Sequence, residues 1–198
     1  MRVGILGGTF NPIHVGHLVM AETAREEFGL KKVLFIPSAI PPHKQAAGLP
    51  APELRLAMTR RAVVGNPTFE VCDLEIRRGG KSYSHDTLRE LKARFAKDAY
   101  FFIIGSDSLD QLGSWHRIDD LRKLCRFIVV ERPGMPVKEI LKNMSVANRR
   151  DWGKYVLSTT PIGISSRHIR ERVRRGLSVR YLVNESVEAF LSETGLYR

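Results

Sequence analysis

An apolar run, Val3 to Leu6, breaks at Gly7-Gly8-Thr9-Phe10-Asn11-Pro12-Ile13-His14-Val15-Gly16-His17, and a helical pattern follows to Phe28. A strand, a glycine-bearing turn and a helix start, in that order, open a sheet whose strands are joined by helices. The same arrangement makes an anion site, because unpaired N–H groups and the positive end of the helix dipole point where a phosphate can sit. Gly7 and Gly8 are expected to supply turn geometry closed to other residues, and Gly16 to remove a side chain where a ligand approaches. His14 and His17, three residues apart, add side-chain donors on one face of the helix start. Spacing alone would equally suit two ordinary helix-start histidines, and less well a metal pair. The surrounding glycines favour the anion reading. The segment lacks both the lysine-serine ending of a P-loop and the third glycine of a dinucleotide fingerprint, so neither of those devices is present.

Apolar runs then alternate with helical patterns along the chain. Strands are expected at Val3–Leu6, Val33–Ile36, Phe69–Leu74, Tyr100–Ile104, Phe127–Val130 and Tyr155–Leu157. Helices are expected at His17–Phe28, Pro52–Val64, His85–Arg94, Ile118–Leu124, Val137–Asn143, Ser166–Arg174 and Glu185–Glu193, with Gly29, Gly65, Gly176 and Gly195 as left-handed caps. Alternation of this kind predicts a Rossmann-like, doubly wound α/β fold: a mostly parallel open sheet with helices on both faces. Ligands in such sheets bind at the carboxyl ends of the strands, where the opening motif falls. The last forty or so residues, about 160–198, read as a small helical part of the same single domain, 1–198, since no linker is evident. The proline- and alanine-rich stretch from Pro37 to Pro52 reads as a long loop, ordered or partly mobile, of a kind that is often functional in compact domains.

At 198 residues, the chain can build one substantial core. Its apolar runs are far too short to span a membrane, and the amino terminus enters a strand without a signal-peptide pattern, so a cytoplasmic protein is expected. Cys72 and Cys125 lie far apart with no metal-type spacing and read as reduced core thiols. The net charge of +11 calls for an anionic partner, either nucleic acid or a small polyanion such as ATP. Part of it is concentrated between Ser165 and Arg180, where six arginines face one acid, Glu171. Most of these read as a solvated helix face.

Further chemistry-bearing positions lie at loop-like places. Pro41 and Pro42 stiffen the backbone before His43 and Lys44, so Lys44 could be aimed at a phosphate; alone, the cluster equally suits a surface turn. Gly105-Ser106-Asp107-Ser108 follows a strongly apolar strand, where Asp107 suits ribose hydroxyls or an ordinary helix cap. Trp115 could offer a flat face to an aromatic ring or pack in the core. Ile164-Ser165-Ser166-Arg167-His168-Ile169-Arg170 combines capping serines with free helix-start N–H groups, and Arg170 one turn on could clamp triphosphate oxygens.

The opening segment resembles the H-x-G-H signature of the nucleotidyltransferases, shared with class I aminoacyl-tRNA synthetases. Over nearly the whole chain the ordered motifs resemble those of the bacterial nicotinate mononucleotide adenylyltransferases. The family's G-G-T-F-D-P-x-H-x-G-H corresponds to Gly7–His17 and its P-P-H-K to Pro41–Lys44. Its S-Y-T-x-D-T-L is similar to Ser82–Leu88, following Asp73-Leu74-Glu75, and its G-x-D-x-L and tryptophan to Gly105–Leu109 and Trp115. Its R-P-G matches Arg132–Gly134 and its I-S-S-T-x-I-R matches Ile164–Arg170. Three positions depart: Asn11 for aspartate, Ser84 for threonine and Arg167 for threonine.

The resemblance implies transfer of AMP from ATP to nicotinate mononucleotide, with Mg²⁺ held by the substrate phosphates and no protein-bound metal. It implies catalytic roles for His14, His17, Lys44 and Arg170. ATP would be bound by Gly7, Gly8, Thr9, Phe10, Asn11, Gly16, Gly105, Asp107, Ile164, Ser165 and Ser166. Nicotinate mononucleotide would be bound by Trp115 and by backbone N–H groups near Ser84 and His116. A phosphopantetheine adenylyltransferase shares the opening motif but lacks the Trp115 and Ser82–Leu88 signatures. A synthetase would be longer and carry a K-M-S-K-S-type loop. A basic nucleic-acid-binding protein leaves the ordered motifs unexplained, and no RNA- or DNA-binding module is recognisable, so nucleic acid is not expected as a partner. Monomer and homo-oligomer stay open, because interface and core residues look alike.

Overall fold

The structure is a computed structural model and describes residues 1–42, 48–109, 111–143, 155–158 and 162–198. Six strands form one sheet: β1 (Arg2–Gly8), β2 (Lys32–Pro37), β3 (Phe69–Val71), β4 (Ala99–Gly105), β5 (Cys125–Val130) and β6 (Val156–Leu157). Their order is β3-β2-β1-β4-β5-β6, that of the Rossmann fold, and the sheet is parallel with helices around it. Register is explicit along β1 and β4, from Arg2 opposite Ala99 to Ile5 opposite Phe102, and along β4 and β5, from Tyr100 opposite Cys125 to Gly105 opposite Val130. Every residue of β4 after Ala99 is buried, as expected of an interior parallel strand covered on both faces. The strand order reverses between β1 and β4, which is where open α/β sheets bind ligands.

The helices are α1 (Val15–Glu27), α2 (Pro52–Val63), α3 (Leu74–Arg78), α4 (Ser84–Arg94), α5 (Ser106–Leu109), α6 (Ile118–Leu124), α7 (Val137–Lys142), α8 (Ser166–Arg174) and α9 (Glu185–Thr194), with a 3-10 turn at Leu112–Ser114. The four glycines expected to close helices all take positive φ. Two expectations change. The third strand stops at Val71, and Leu74 opens α3, which ends at Gly79 and Gly80, both left-handed. That helix is held by a main-chain bond from Arg77 to Asp73 and by their side-chain ion pair at 2.8 Å. The first helix begins at Val15 rather than His17, which leaves His14 as the residue just outside it.

The chain forms two compact units. One comprises Met1–Leu6, Met20–Val33 and Tyr83–Gly163; the other comprises Gly7–Val19, Leu34–Ser82 and Ile164–Arg198. In the first, Gly4 is required by close approach: a Cβ there would lie 2.9 Å from Leu30 and 3.2 Å from Ile103. In the second, Phe10, Ile13, Phe35, Met58 and Ile169 are buried together with Val187 and Phe190 of α9. The carboxyl-terminal helices therefore share a unit with the opening motif. Among the described residues, no helix is long and apolar enough to cross a membrane.

Candidate active site

The motif loop runs from the end of β1 to α1. Gly7 and Gly8 lie inside the strand and neither takes positive φ; the left-handed residue of the turn is Phe10, at φ 47°. The expected turn role of the two glycines is thus corrected. Gly8 is small because the Phe10 ring crosses it, 3.0 Å from where a Cβ would stand. Phe10 is buried and meets the His17 ring edge-on at 5.2 Å. The Asn11–Pro12 peptide is cis.

Donors from distant segments hold the loop's carbonyls. Ser38 N–H donates to Gly8 at 2.9 Å, and Arg55 Nη1 to Thr9 at 2.9 Å. Arg170 Nη1 donates to Asn11 at 2.7 Å, and Ser166 Oγ to Pro12 at 2.8 Å. Because C=O and the following N–H of a trans peptide point oppositely, the Phe10 and Ile13 amides turn away from Arg55 and Ser166. Neither amide is turned toward the side chain that holds its peptide's carbonyl, which leaves both N–H groups on the opposite sides of their peptides.

The two histidines form a capping arrangement. His17, the third helical residue, accepts the His14 N–H at its Nδ1, 3.2 Å away, and the rings stack at 3.7 Å. This is the reciprocal half of a capping box, with imidazole in place of glutamate. It also sets the tautomer: with Nδ1 accepting, the proton of a neutral His17 sits on Nε2. His14 is 4 % exposed and His17 is half-buried, so His17 is the more accessible ring. Gly16 lies between them in the first turn of α1.

The late serine motif belongs to the same unit. Ser165 is the N-cap of α8 and accepts the His168 N–H at 3.2 Å; Ser166 and Arg170 reach the motif loop as described, and Ile164 is half-buried just before them. Arg167 is exposed and pairs with Glu171 at 2.9 Å, so this departure from the family pattern faces solvent and holds that carboxyl below its ordinary range. Arg172 bonds the Ser178 carbonyl and Arg180 approaches Glu188 at 3.7 Å. Four of the six clustered arginines are therefore engaged with the protein itself.

Sequence reasoning missed two residues here. Tyr197 donates its phenol to Asn11 Oδ1 at 2.6 Å, and burial pushes that phenol up despite the opposing charges of Arg170 and Arg55. Arg55 is 1 % exposed and, among the described residues, donates to the main-chain carbonyls of Pro50, Thr9, Ser38 and Ala39, with burial lowering its pKa against the pull of Tyr197 and Glu53. Neither lies within one of the ordered motifs, and no local pattern marks either.

The other unit carries the remaining expected positions. Gly105 ends β4, and a Cβ there would fall on Asp107 Oδ1 and within 2.6 Å of Arg132 Nε. Asp107 pairs with that Arg132 at 3.3 Å, while Ser106 Oγ accepts the Arg132 N–H at 3.0 Å. The G-x-D and R-P-G motifs thus form one structure at the ends of neighbouring strands. Trp115 is half-buried and packs edge-on against Phe102 at 5.8 Å and Phe127 at 6.3 Å. Ser84 opens α4, just ahead of the Asp86 and Thr87 N–H groups that donate to the Tyr83 carbonyl at 3.1 and 3.2 Å. Next to it, Tyr83 stacks on His116 at 4.4 Å, which brings Ser84 and His116 into one neighbourhood. His85 is buried, 3.1 Å from Asp86 and edge-on to His116 at 6.3 Å. Lys44, with His43, lies outside the described residues.

Comparison with known proteins agrees with this architecture. The cytidylyltransferase-like family model matches residues 5–172. A probable nicotinate-nucleotide adenylyltransferase of Trichlorobacter lovleyi is 46% identical over 212 residues, covering 100% of both chains. Its counterpart in Geotalea uraniireducens is 44% identical, covering 100% of this chain and 98% of its own. Among solved structures, Plasmodium falciparum nicotinic acid mononucleotide adenylyltransferase complexed with NaAD shares the fold at TM-score 0.80 and 17% identity, covering 99% of this chain and 97% of that one. The full-length identity, with the strand order and the motif loop, shows that this chain belongs to the cytidylyltransferase-like family and, within it, to the nicotinate-nucleotide adenylyltransferases.

Proposed function

We propose that the protein transfers AMP from ATP to the 5′-phosphate of nicotinate mononucleotide, giving nicotinate adenine dinucleotide and pyrophosphate in NAD biosynthesis. The observation that carries this reading is the full-length relation to the adenylyltransferases, joined to a motif loop whose Thr9 and Asn11 carbonyls are held by Arg55 and Arg170. The attacking phosphate is an anion at neutral pH, so no general base and no covalent intermediate are needed. Its oxygen bonds to the α-phosphorus of ATP, and the bond from that phosphorus to the β-phosphate bridging oxygen breaks as pyrophosphate leaves. The barrier lies in aligning two polyanions and stabilising the leaving group, which positioning and fixed dipoles supply.

In this reading His17 donates from Nε2 to the reacting phosphate. The bond that engages its Nδ1 supports the assignment, since a neutral ring then presents its donor without any protonation step. His14 stands behind it, and the amides of the Gly7–Gly16 segment meet phosphate oxygens. Arg170 already spends one nitrogen on Asn11, so its remaining N–H groups are what it can offer to the triphosphate. Lys44 keeps its proposed phosphate role. Gly105, Asp107, Ile164, Ser165 and Ser166 complete the ATP side, with Asp107 sharing its carboxylate between Arg132 and a ribose hydroxyl.

Nucleotidyltransferases generally use a divalent cation, and we take it to be Mg²⁺ carried on the triphosphate. The motif loop presents amides, imidazoles and a guanidinium but no carboxylate, a donor set suited to the phosphates rather than to the ion. When bound, the ion would supply positive charge to the leaving pyrophosphate. For the acceptor, Trp115 is proposed to stack on the pyridine ring, and backbone N–H groups near Ser84 and His116 to meet the carboxylate. Donors disfavour an amide, whose NH₂ would face N–H groups with no acceptor. The reading takes 1–198 as one nucleotidyltransferase domain, acting in the cytoplasm on these small molecules.

The test is dinucleotide formation from ATP and Mg²⁺ with nicotinate or nicotinamide mononucleotide in parallel. Product from the first, and much less from the second, is expected. Equal efficiency would refute the carboxylate pocket, and no product from either would refute the reaction.

A further inference from the structure

Arg55 is the most deeply buried charge among the described residues, at 1 % exposure. Arginines so buried are ordinarily paired with a carboxylate. Here Nε donates to the Pro50 carbonyl at 3.1 Å, Nη1 to Thr9 at 2.9 Å and Ser38 at 2.6 Å, and Nη2 to Ala39 at 2.8 Å. One guanidinium therefore gathers three segments of one unit: the motif loop, the end of β2 and the chain entering α2. The peptides beyond two of these carbonyls are engaged on their opposite sides, Ala39 N–H with Ser82 Oγ at 2.9 Å and Ile40 N–H with Gly80 at 3.3 Å. Of the remaining two, one is the peptide between Thr9 and Phe10, in the motif loop. Holding its carbonyl toward Arg55 turns the Phe10 N–H the other way.

We propose that Arg55 is a positioning residue for the triphosphate of ATP: it orients the Thr9–Phe10 peptide and places a buried positive charge behind the loop. Such a charge is poorly screened by solvent and acts without touching substrate. The inference rests on the adenylyltransferase reading and adds a residue outside every motif that supports it. Lysine cannot substitute, because one ammonium lacks the planar fork that reaches three segments at once.

The experiment compares wild type with Arg55→Lys and Arg55→Met in steady-state kinetics, alongside calorimetric binding of inorganic tripolyphosphate. Both variants should raise the KM for ATP by about tenfold or more, while the KM for nicotinate mononucleotide stays within about twofold. Tripolyphosphate affinity should fall in parallel with the ATP effect. Equal changes in both KM values, or unchanged tripolyphosphate affinity in a folded variant, would overturn the proposal and leave Arg55 a stability residue. Wild type alone supplies a second check by nuclear magnetic resonance: tripolyphosphate should shift the Phe10 amide, and an indifferent Phe10 overturns the proposal with no variant needed. Wild type that binds tripolyphosphate but forms no dinucleotide would refute the reaction and leave the role of Arg55 standing.

Discussion

Replacing Tyr197 by phenylalanine removes one hydroxyl and one hydrogen bond, the 2.6 Å contact to Asn11 Oδ1. The ring stays, so packing is preserved and the loss is confined to that bond and the acceptor it leaves behind. A neutral hydrogen bond contributes about 1 kcal/mol net, and a partly buried acceptor left without its donor adds a similar amount, so the cost should be about 1–2 kcal/mol. For a chain of this length the melting temperature should fall by about 2–8 °C. The buried phenol also gives a pH signature. Burial raises the Tyr197 phenol above its ordinary value of about 10. Between the unfolded and folded values the unfolded chain loses this proton while the native protein keeps it, so stability drops as pH rises. Thermal unfolding of both proteins between pH 7 and pH 11 checks the two effects together. Wild type should be the more stable near neutrality, and its advantage should shrink above about pH 10. Equal melting temperatures at pH 7 with parallel alkaline profiles would refute the bond as described.

Other outcomes follow from the same geometry. His17→Ala should lower turnover by about 10²–10³-fold in the dinucleotide assay, the order expected for losing one transition-state donor; near-normal turnover would remove His17 from the reaction. Gly105→Ala should disrupt the Asp107–Arg132 pair, because the new methyl group falls on both partners. Its KM for ATP should rise, and an unchanged KM would separate that pair from nucleotide binding. Burial pushes the Cys125 thiol up to about 12, whereas Cys72 is half-exposed. A thiol reagent at pH 8 should therefore label Cys72 first and reach Cys125 only on unfolding, as mass spectrometry of the labelled chain would read.

The strands were legible because interior parallel strands are nearly continuous apolar runs: Tyr100–Ile104 and Phe127–Val130 sit inside β4 and β5 with only their ends extended. The two shortest helices were not. Helix α3 has five residues and α5 four, too few for a 3.6-residue period to register, so Leu74 read as the end of a strand. The motif positions were legible as residues but not as roles. Gly7 and Gly8 suggested a turn, yet the turn's left-handed residue is Phe10, which carries a bulky side chain that only tertiary packing could hold there. Arg170 was expected to face a ligand, and its first bond goes to the Asn11 carbonyl. Arg55 and Tyr197 escaped because their partners are main-chain carbonyls and a side chain far away in sequence, which no local pattern encodes.

Four side-chain supports of the motif loop are remote. They come from donors 46, 154, 159 and 186 residues away, in Arg55, Ser166, Arg170 and Tyr197. Closing such distances costs chain entropy that is recovered only once the partners are in place, so the loop should order late in folding. Its opening is then coupled to α8 and to the segment around Tyr197 as much as to β1. A nucleotide that stabilises the closed loop should slow hydrogen exchange in these dispersed segments together, so protection at α8 becomes a remote gauge of occupancy at Phe10.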